Sequence, residues 1–342
     1  MRGRAFPRAA VSVSLAALML TGLTGCDTRQ KYQATYFDMF DSVIRVTAYC
    51  DSEAEWESQS QALHDDLMRY HQLFDNYQSY DGVTNLYTLN AGAGGDAVAV
   101  DDDLFALLQE GKEMYVLTDG RCNIAAGAVL SLWHDAREAE VPSLPDDAAL
   151  QEAARHCSMD DLILDETAKT VRLADPEMSI DAGSLAKGWA IEAAAKAAEA
   201  RGLTSALIDA GSNIRAIGTH ADGSPWVAGV TAPWDEDSAS LIEVPLASEQ
   251  SLVTSADTQR YFEVDGVRYS HLIDLETLYP ARYFRSVSVL CSDGGLGDAL
   301  STGLYCMPLE EGQPLVDSLD GVEAIWYSAD GQTVVRTDGF PS

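Results

Sequence analysis

Residues 181–218 read DAGSLAKGWAIEAAAKAAEARGLTSALIDAGSNIRAIG, and the order of elements in this stretch decides the fold class. The alanine-rich run up to Arg201 favours a helix, because alanine loses no side-chain entropy on entering one. Gly202 stands where helices commonly stop. Two short apolar runs follow at once, 205–209 and 214–217, separated by Gly211-Ser212-Asn213. That is a strand, a turn and a second strand. A helix feeding a hairpin is not the strand–helix–strand rhythm of a doubly wound sheet.

The flanking sequence repeats the mixture. Upstream, Tyr36 to Tyr49 alternates as a half-buried strand does, and 53–74 spaces Trp56, Leu63, Leu67, Tyr70 and Leu73 near helical periodicity. Residues 101–117 and 128–135 read as helices, 161–164 and 170–173 as short strands, and the acidic stretch 138–147, with Pro142 and Pro145, as a surface insertion. Asn90-Ala-Gly-Ala-Gly-Gly95 lacks the spacing of a dinucleotide fingerprint and reads as a turn. Downstream, strands are expected at 226–231, 241–245, 261–264, 267–273 and 285–291, a helix from Leu296 to Cys306, and a last strand pair near 323–327 and 332–336. Helices mixed with antiparallel hairpins argue for an α+β fold with largely antiparallel sheets, not a Rossmann fold. No internal repeat is present.

The amino terminus has three arginines (Arg2, Arg4, Arg8), an apolar stretch from about Ala9 to Leu23, and Leu23-Thr24-Gly25-Cys26. This pattern is an export signal, too short in its apolar part for a permanent span. The last four residues resemble the bacterial lipobox. The resemblance implies a signal peptide over 1–25, lipidation of Cys26, a tether over 26–35 ahead of a globular body over 36–342, and an extracytoplasmic, membrane-anchored location. Loss of Arg2, Arg4 and Arg8 would take the formal charge from −32 to −35. So acidic a surface repels phosphate backbones and excludes nucleic acid as a partner; a polyphosphate ligand would need a local cation. The other cysteines, Cys50, Cys122, Cys157, Cys291 and Cys306, are odd in number and lack metal-binding spacing.

Three segments concentrate special residues. In Asp181-Ala-Gly-Ser-Leu-Ala-Lys-Gly188, glycines and a serine at a helix start, with Lys187 one turn inside, suit an anion. An ordinary helix start with a solvated lysine fits the same residues. In Gly294-Gly-Leu-Gly-Asp298-Ala-Leu-Ser-Thr302, Asp298 and Thr302 fall one helical turn apart and present a carboxylate and a hydroxyl together, the oxygen donors that Mg²⁺ prefers. A carboxylate favoured by the helix dipole and a threonine bonded back to a carbonyl are the alternative. In the third, Ser251-Leu-Val-Thr-Ser-Ala-Asp257 precedes Tyr269-Ser-His271-Leu-Ile-Asp274, where His271 is either a general base or a structural histidine.

The order of these blocks resembles the ApbE family of FAD:protein FMN transferases. The similarity lies in DAGSLAKG with its following helix and Gly211-Ser212-Asn213 turn, in SLVTSADTQRYFEVDGVRYSHLIDLETLYP, and in SVSVLCSDGGLGDALSTGLYCM. It implies Mg²⁺ held by the backbone carbonyl of Ser184, by Asp298 and by Thr302, with FAD as substrate. Flavin contacts would fall to Met39, Tyr77, Arg121, Cys122, Asn123 and Ser255, with Lys187 near the phosphates. His271 would take the proton from an acceptor threonine of an exported or membrane flavoprotein, with Asp257 as the rival base, and AMP would leave. The same residues would serve a Mg²⁺-dependent FAD pyrophosphatase, and their flavin-binding part a non-catalytic FAD carrier.

Overall fold

The computed structural model describes residues 29–234, 241–258 and 260–342. The signal segment and Cys26 lie outside the described residues. Eight strands form the main sheet, lying side by side in chain order: Gln30–Met39, Ser42–Cys50, Ser205–Asp209, Asn213–Gly218, Ser251–Ala256, Phe284–Cys291, Glu323–Ser328 and Val334–Arg336. Every pairing in it is antiparallel. The fold is thus α+β around an antiparallel meander.

The period of two along each strand assigns the sheet's faces. Ile44, Val46, Ala48, Ala206 and Ile208 pack under the helices Glu53–Phe74, Asp102–Leu117 and Ala186–Ala200 in the largest core. The alternate residues Ala216, Leu252, Leu290 and Ile325 face the hairpin of Trp226–Thr231 and Leu241–Leu246. The helix Gly294–Tyr305 lies on the helical face beside Ala186–Ala200 and packs on Ser251–Ala256 and Phe284–Cys291. A smaller unit is attached at the side. Its core is Trp133 of the helix Gly127–Glu138, stacked near Phe262 and Tyr269 of the hairpin Tyr261–Val264/Val267–Ser270, with the indole donating to Leu278 O at 2.9 Å.

Three expectations need correction. The strand expected over 36–49 is two strands around Phe40-Asp41, both with positive φ (54° and 47°) as a tight two-residue hairpin turn demands. Phe-Asp carries none of the Asn-Gly signal of such a turn, which is why the sequence read straight through it. The first strand also begins at Gln30, so residues 30–35 of the expected tether are sheet, paired with Cys50 to Arg45. The strand expected over 267–273 stops at Ser270, and Ile273–Asp274 pairs instead with Tyr279–Pro280. His271 sits at that break. Helices at Leu86–Ala91 and Leu309–Asp317 were not legible in the sequence, and Asn90 and Ala91 end the first of them.

Candidate active site

The helices Ala186–Ala200 and Gly294–Tyr305 touch through glycine. A Cβ on Gly188 would lie 2.7 Å from Asp298 Cβ and closer still to Gly294 O, so only glycine permits the approach. Because of it, the Gly188 N–H donates to Asp298 Oδ2 at 2.8 Å. Asp298 is 7 % exposed. Burial raises its pKa above the ordinary aspartate value, against the lowering effects of Lys187, the Gly188 N–H and the Asn213 side chain. A buried carboxylate that its neighbours do not fully compensate is where a cation is stabilising. Thr302, one turn on in the same helix, has its hydroxyl 3.3 Å from Ser255 Oγ, which is also 2.9 Å from Ser301 Oγ. The donor set of hard oxygens suits Mg²⁺.

Asp181 accepts from Gly183 N at 2.8 Å and shapes the turn before the helix. Lys187 is the second residue of that helix, not one turn inside it. Its ammonium donates to Ser212 Oγ, in the Gly211-Ser212-Asn213 turn. Burial lowers its pKa, Asp298 opposes that, and Arg260 adds to it. On the other side of the turn, Ser184 Oγ lies 3.3 Å from Cys122 Sγ. The five cysteines among the described residues are all unpaired thiols, and Cys157 alone is not fully buried.

His271 is held by one carbonyl. The Arg260 oxygen accepts the His271 backbone N–H at 3.0 Å and lies 3.1 Å from Nδ1. Only the tautomer with the proton on Nδ1 can donate there, so Nε2 carries the free lone pair. Burial pushes the imidazole pKa down to about 4, with Arg260, Arg137 and Lys187 acting in the same direction and the bond to the Arg260 carbonyl against it. The ring is therefore neutral at pH 7. Two of these cations also have carboxylate partners, Arg260 in Asp41 at 3.1 Å and Arg137 in Glu138 at 3.0 Å.

The remaining expected residues divide in two. Met39 ends the first strand, buried, and Tyr77 is 65 % exposed with its ring 5.4 Å from that of His134. His134 in turn lies 3.0 Å from Arg137, and burial raises the Tyr77 pKa, with Asp181 acting in the same direction and Arg137 and Arg260 against it. Arg121, Asn123 and Asp257 are engaged elsewhere. The Arg121 guanidinium is buried against Asp274 (3.4 Å), Glu276 (2.8 Å) and Glu311 (3.1 Å). The Asn123 amide donates to Cys157 O at 2.9 Å and accepts from Ala125 N at 2.8 Å, holding its own loop. Arg285 Nε donates to both Asp257 oxygens, at 3.0 and 2.7 Å. Sequence reasoning missed Arg260 and Arg137. Arg260 stands three residues after Asp257 in a quoted block, whereas nothing marks Arg137 among the acidic residues around it.

Fold and site together define an α+β protein that pairs a buried, cation-seeking carboxylate with a cation-flanked neutral histidine. The chain belongs to the ApbE family, whose sequence profile matches residues 40–326. It is 33% identical over 259 residues to the FAD:protein FMN transferase of Treponema pallidum, covering 72% of this chain and 71% of that one. It is 32% identical over 254 residues to that of Rhodobacter capsulatus, a longer protein of which the match spans 47%. Among solved structures, the ApbE protein of Thermotoga maritima superposes with a TM-score of 0.80 at 27% identity, covering 90% of this chain and 97% of that one.

Proposed function

We propose that this chain transfers FMN from FAD to a threonine hydroxyl of an exported flavoprotein, releasing AMP. The juxtaposition that carries the reading is the buried Asp298 beside Lys187, with Lys187 also acting on a neutral His271. In this reading Asp298, Thr302 and the Ser184 carbonyl hold Mg²⁺, which when bound neutralises charge on the pyrophosphate of FAD. Lys187 and Arg260 hold phosphate oxygens, and exposed Tyr77 offers a face to the flavin. His271 Nε2 takes the threonine proton as the threonine oxygen bonds to the phosphorus of the FMN half. The bond from that phosphorus to the bridging oxygen breaks, and its electron pair leaves with AMP. Export and lipidation at Cys26 would keep this chemistry at the outer face of the membrane.

The test is incubation with FAD and Mg²⁺, with and without a candidate acceptor domain, following AMP release. Flavin fluorescence that stays with the acceptor through a denaturing gel supports transfer; free FMN with an unlabelled acceptor means a pyrophosphatase, and no AMP a carrier. Asp298→Ala is expected to abolish Mg²⁺-dependent AMP release while the circular dichroism spectrum is kept, and retained turnover would exclude the metal assignment. Cys26→Ser is expected to shift the protein out of the membrane fraction.

A further inference from the structure

The helix contact that carries Asp298 has a second rung one turn away. Where Gly188 meets Asp298, Glu192 meets Gly294: Glu192 Oε2 accepts the Gly294 N–H at 3.1 Å, the first backbone donor of the helix Gly294–Tyr305. The two rungs run in opposite senses along the two helices, so both fix the same register. Glu192 is in turn gripped by Arg215 of the strand Asn213–Gly218, with Nε to Oε2 at 2.8 Å and Nη2 to Oε1 at 3.1 Å. Their side chains are 4% and 1% exposed. Arg215 also donates to the Ala216 carbonyl and lies 3.6 Å from Glu199, so the pair is satisfied on both sides. Lys196 reaches Glu192 Oε1 at 3.3 Å from a largely exposed position.

A buried ion pair is a poor source of net stability, since desolvation consumes most of the attraction. This one is placed where it does something else. We infer that Glu192 and Arg215 are positioning residues for the metal carboxylate: they lock the helix register in which Gly188 N reaches Asp298 Oδ2, and thereby set divalent-cation affinity. Ser212, which accepts from Lys187 just before this strand, and Arg215, which grips Glu192 from within it, lie three residues apart, so the start of the strand meets the helix Ala186–Ala200 at both rungs. The inference rests on the Mg²⁺ reading above.

Glu192→Asp tests it, because the shorter side chain keeps the charge opposite Arg215 but loses reach to the Gly294 N–H. Mn²⁺ binding to the full-length protein, read by electron paramagnetic resonance, is measured with FAD affinity, melting temperature, and the split between kcat and the KM for Mg²⁺. Cation affinity is expected to fall about 10- to 100-fold, as for other groups that orient metal ligands. FAD affinity should stay within about twofold, and kcat should recover at saturating Mg²⁺. Lys196→Met, at the exposed end of the network, should leave Mn²⁺ binding unchanged. A lowered melting temperature with unaltered Mn²⁺ affinity would show Glu192 to be structural only and overturn the inference. If Glu192→Asp does not fold, Arg215→Lys, which keeps the charge without the two-bond grip, decides by the same criteria. Wild-type protein that binds no Mn²⁺ overturns the metal reading and this inference with it; Mn²⁺ binding lost in Asp298→Ala but kept in Glu192→Asp overturns the inference alone.

Discussion

Asp298 and His271 serve one reaction in the proposed function but are fixed by different kinds of structure. Asp298 stands where two helices meet at Gly188 and Gly294, on a broad antiparallel sheet, and the contact that holds its carboxylate is a backbone N–H, that of Gly188. His271 stands at the end of a hairpin that packs on Trp133, and its orientation depends on a single carbonyl, that of Arg260. Arg260 itself reaches across to Asp41, whose side chain is 94% exposed, at 3.1 Å. One half of the site is set by close packing, the other by a few polar contacts near the surface. Packing tolerates almost no change in volume, whereas exposed ion pairs contribute little to stability.

The largest effect expected from this contrast is kinetic and falls on the looser half. His271→Ala should lower kcat by about 10²- to 10⁴-fold, the usual contribution of a general base, with FAD affinity and melting temperature almost unchanged. The rigid half should respond the other way. Gly188→Ala forces a methyl group against Gly294 O and Asp298 Cβ. It should cost about 3 kcal/mol of stability in urea unfolding, at the upper end for overpacking. If His271→Ala unfolds the protein and Gly188→Ala spares it, the comparison is backwards.

The same contrast explains what the sequence could tell. Glycine, lysine and aspartate at helix starts are local signals, so the segments around Gly188 and Asp298 stood out, and the helix–hairpin order of 181–218 sufficed for the α+β class. The antiparallel pairing of distant strands, such as Ser42–Cys50 with Ser205–Asp209, leaves no such mark. Nor does the tautomer of His271, which follows from a carbonyl eleven residues away. Arg121, a flavin-contact candidate through the family resemblance, has its guanidinium among Asp274, Glu276 and Glu311, all more than 150 positions away and unmarked in the sequence as its partners. Nor does the sequence mark the partner of Asp257, the rival base: Arg285, on a neighbouring strand, donates to both its oxygens.

Acidity separates the halves further. With its pKa pushed down to about 4, His271 stays an unprotonated base well below the ordinary histidine range. The acid limb of kcat/KM attributable to His271 should therefore fall near pH 4 instead of pH 6.5. An acid limb at 6.5 that vanishes in His271→Ala would show the ring to be solvated. For stability the sign follows from proton binding: between about pH 4 and 6.5 the unfolded chain holds the extra proton at His271, so this site adds stability as pH rises through that window.

Glu110 behaves oppositely, and it belongs to the rigid half. Its Oε1 lies 2.5 Å from where a Cβ on Gly295 would be, against the first turn of the helix that carries Asp298. Burial, with Asp293 and Glu113 adding, pushes its pKa up to about 7. The folded protein then holds the extra proton between pH 4.5 and about 7, so the stability from this site is complete below pH 4.5 and is lost as pH rises through 7. Glu110→Gln keeps the shape and removes the titration. Measured by urea unfolding at pH 5 and pH 8, the variant should lose less stability across that interval than the parent, by on the order of 2 kcal/mol after allowance for partial exposure. This is the smallest of the expected effects. An equal loss in both proteins would mean that Glu110 is solvated, and that water reaches the start of the helix whose register places Asp298.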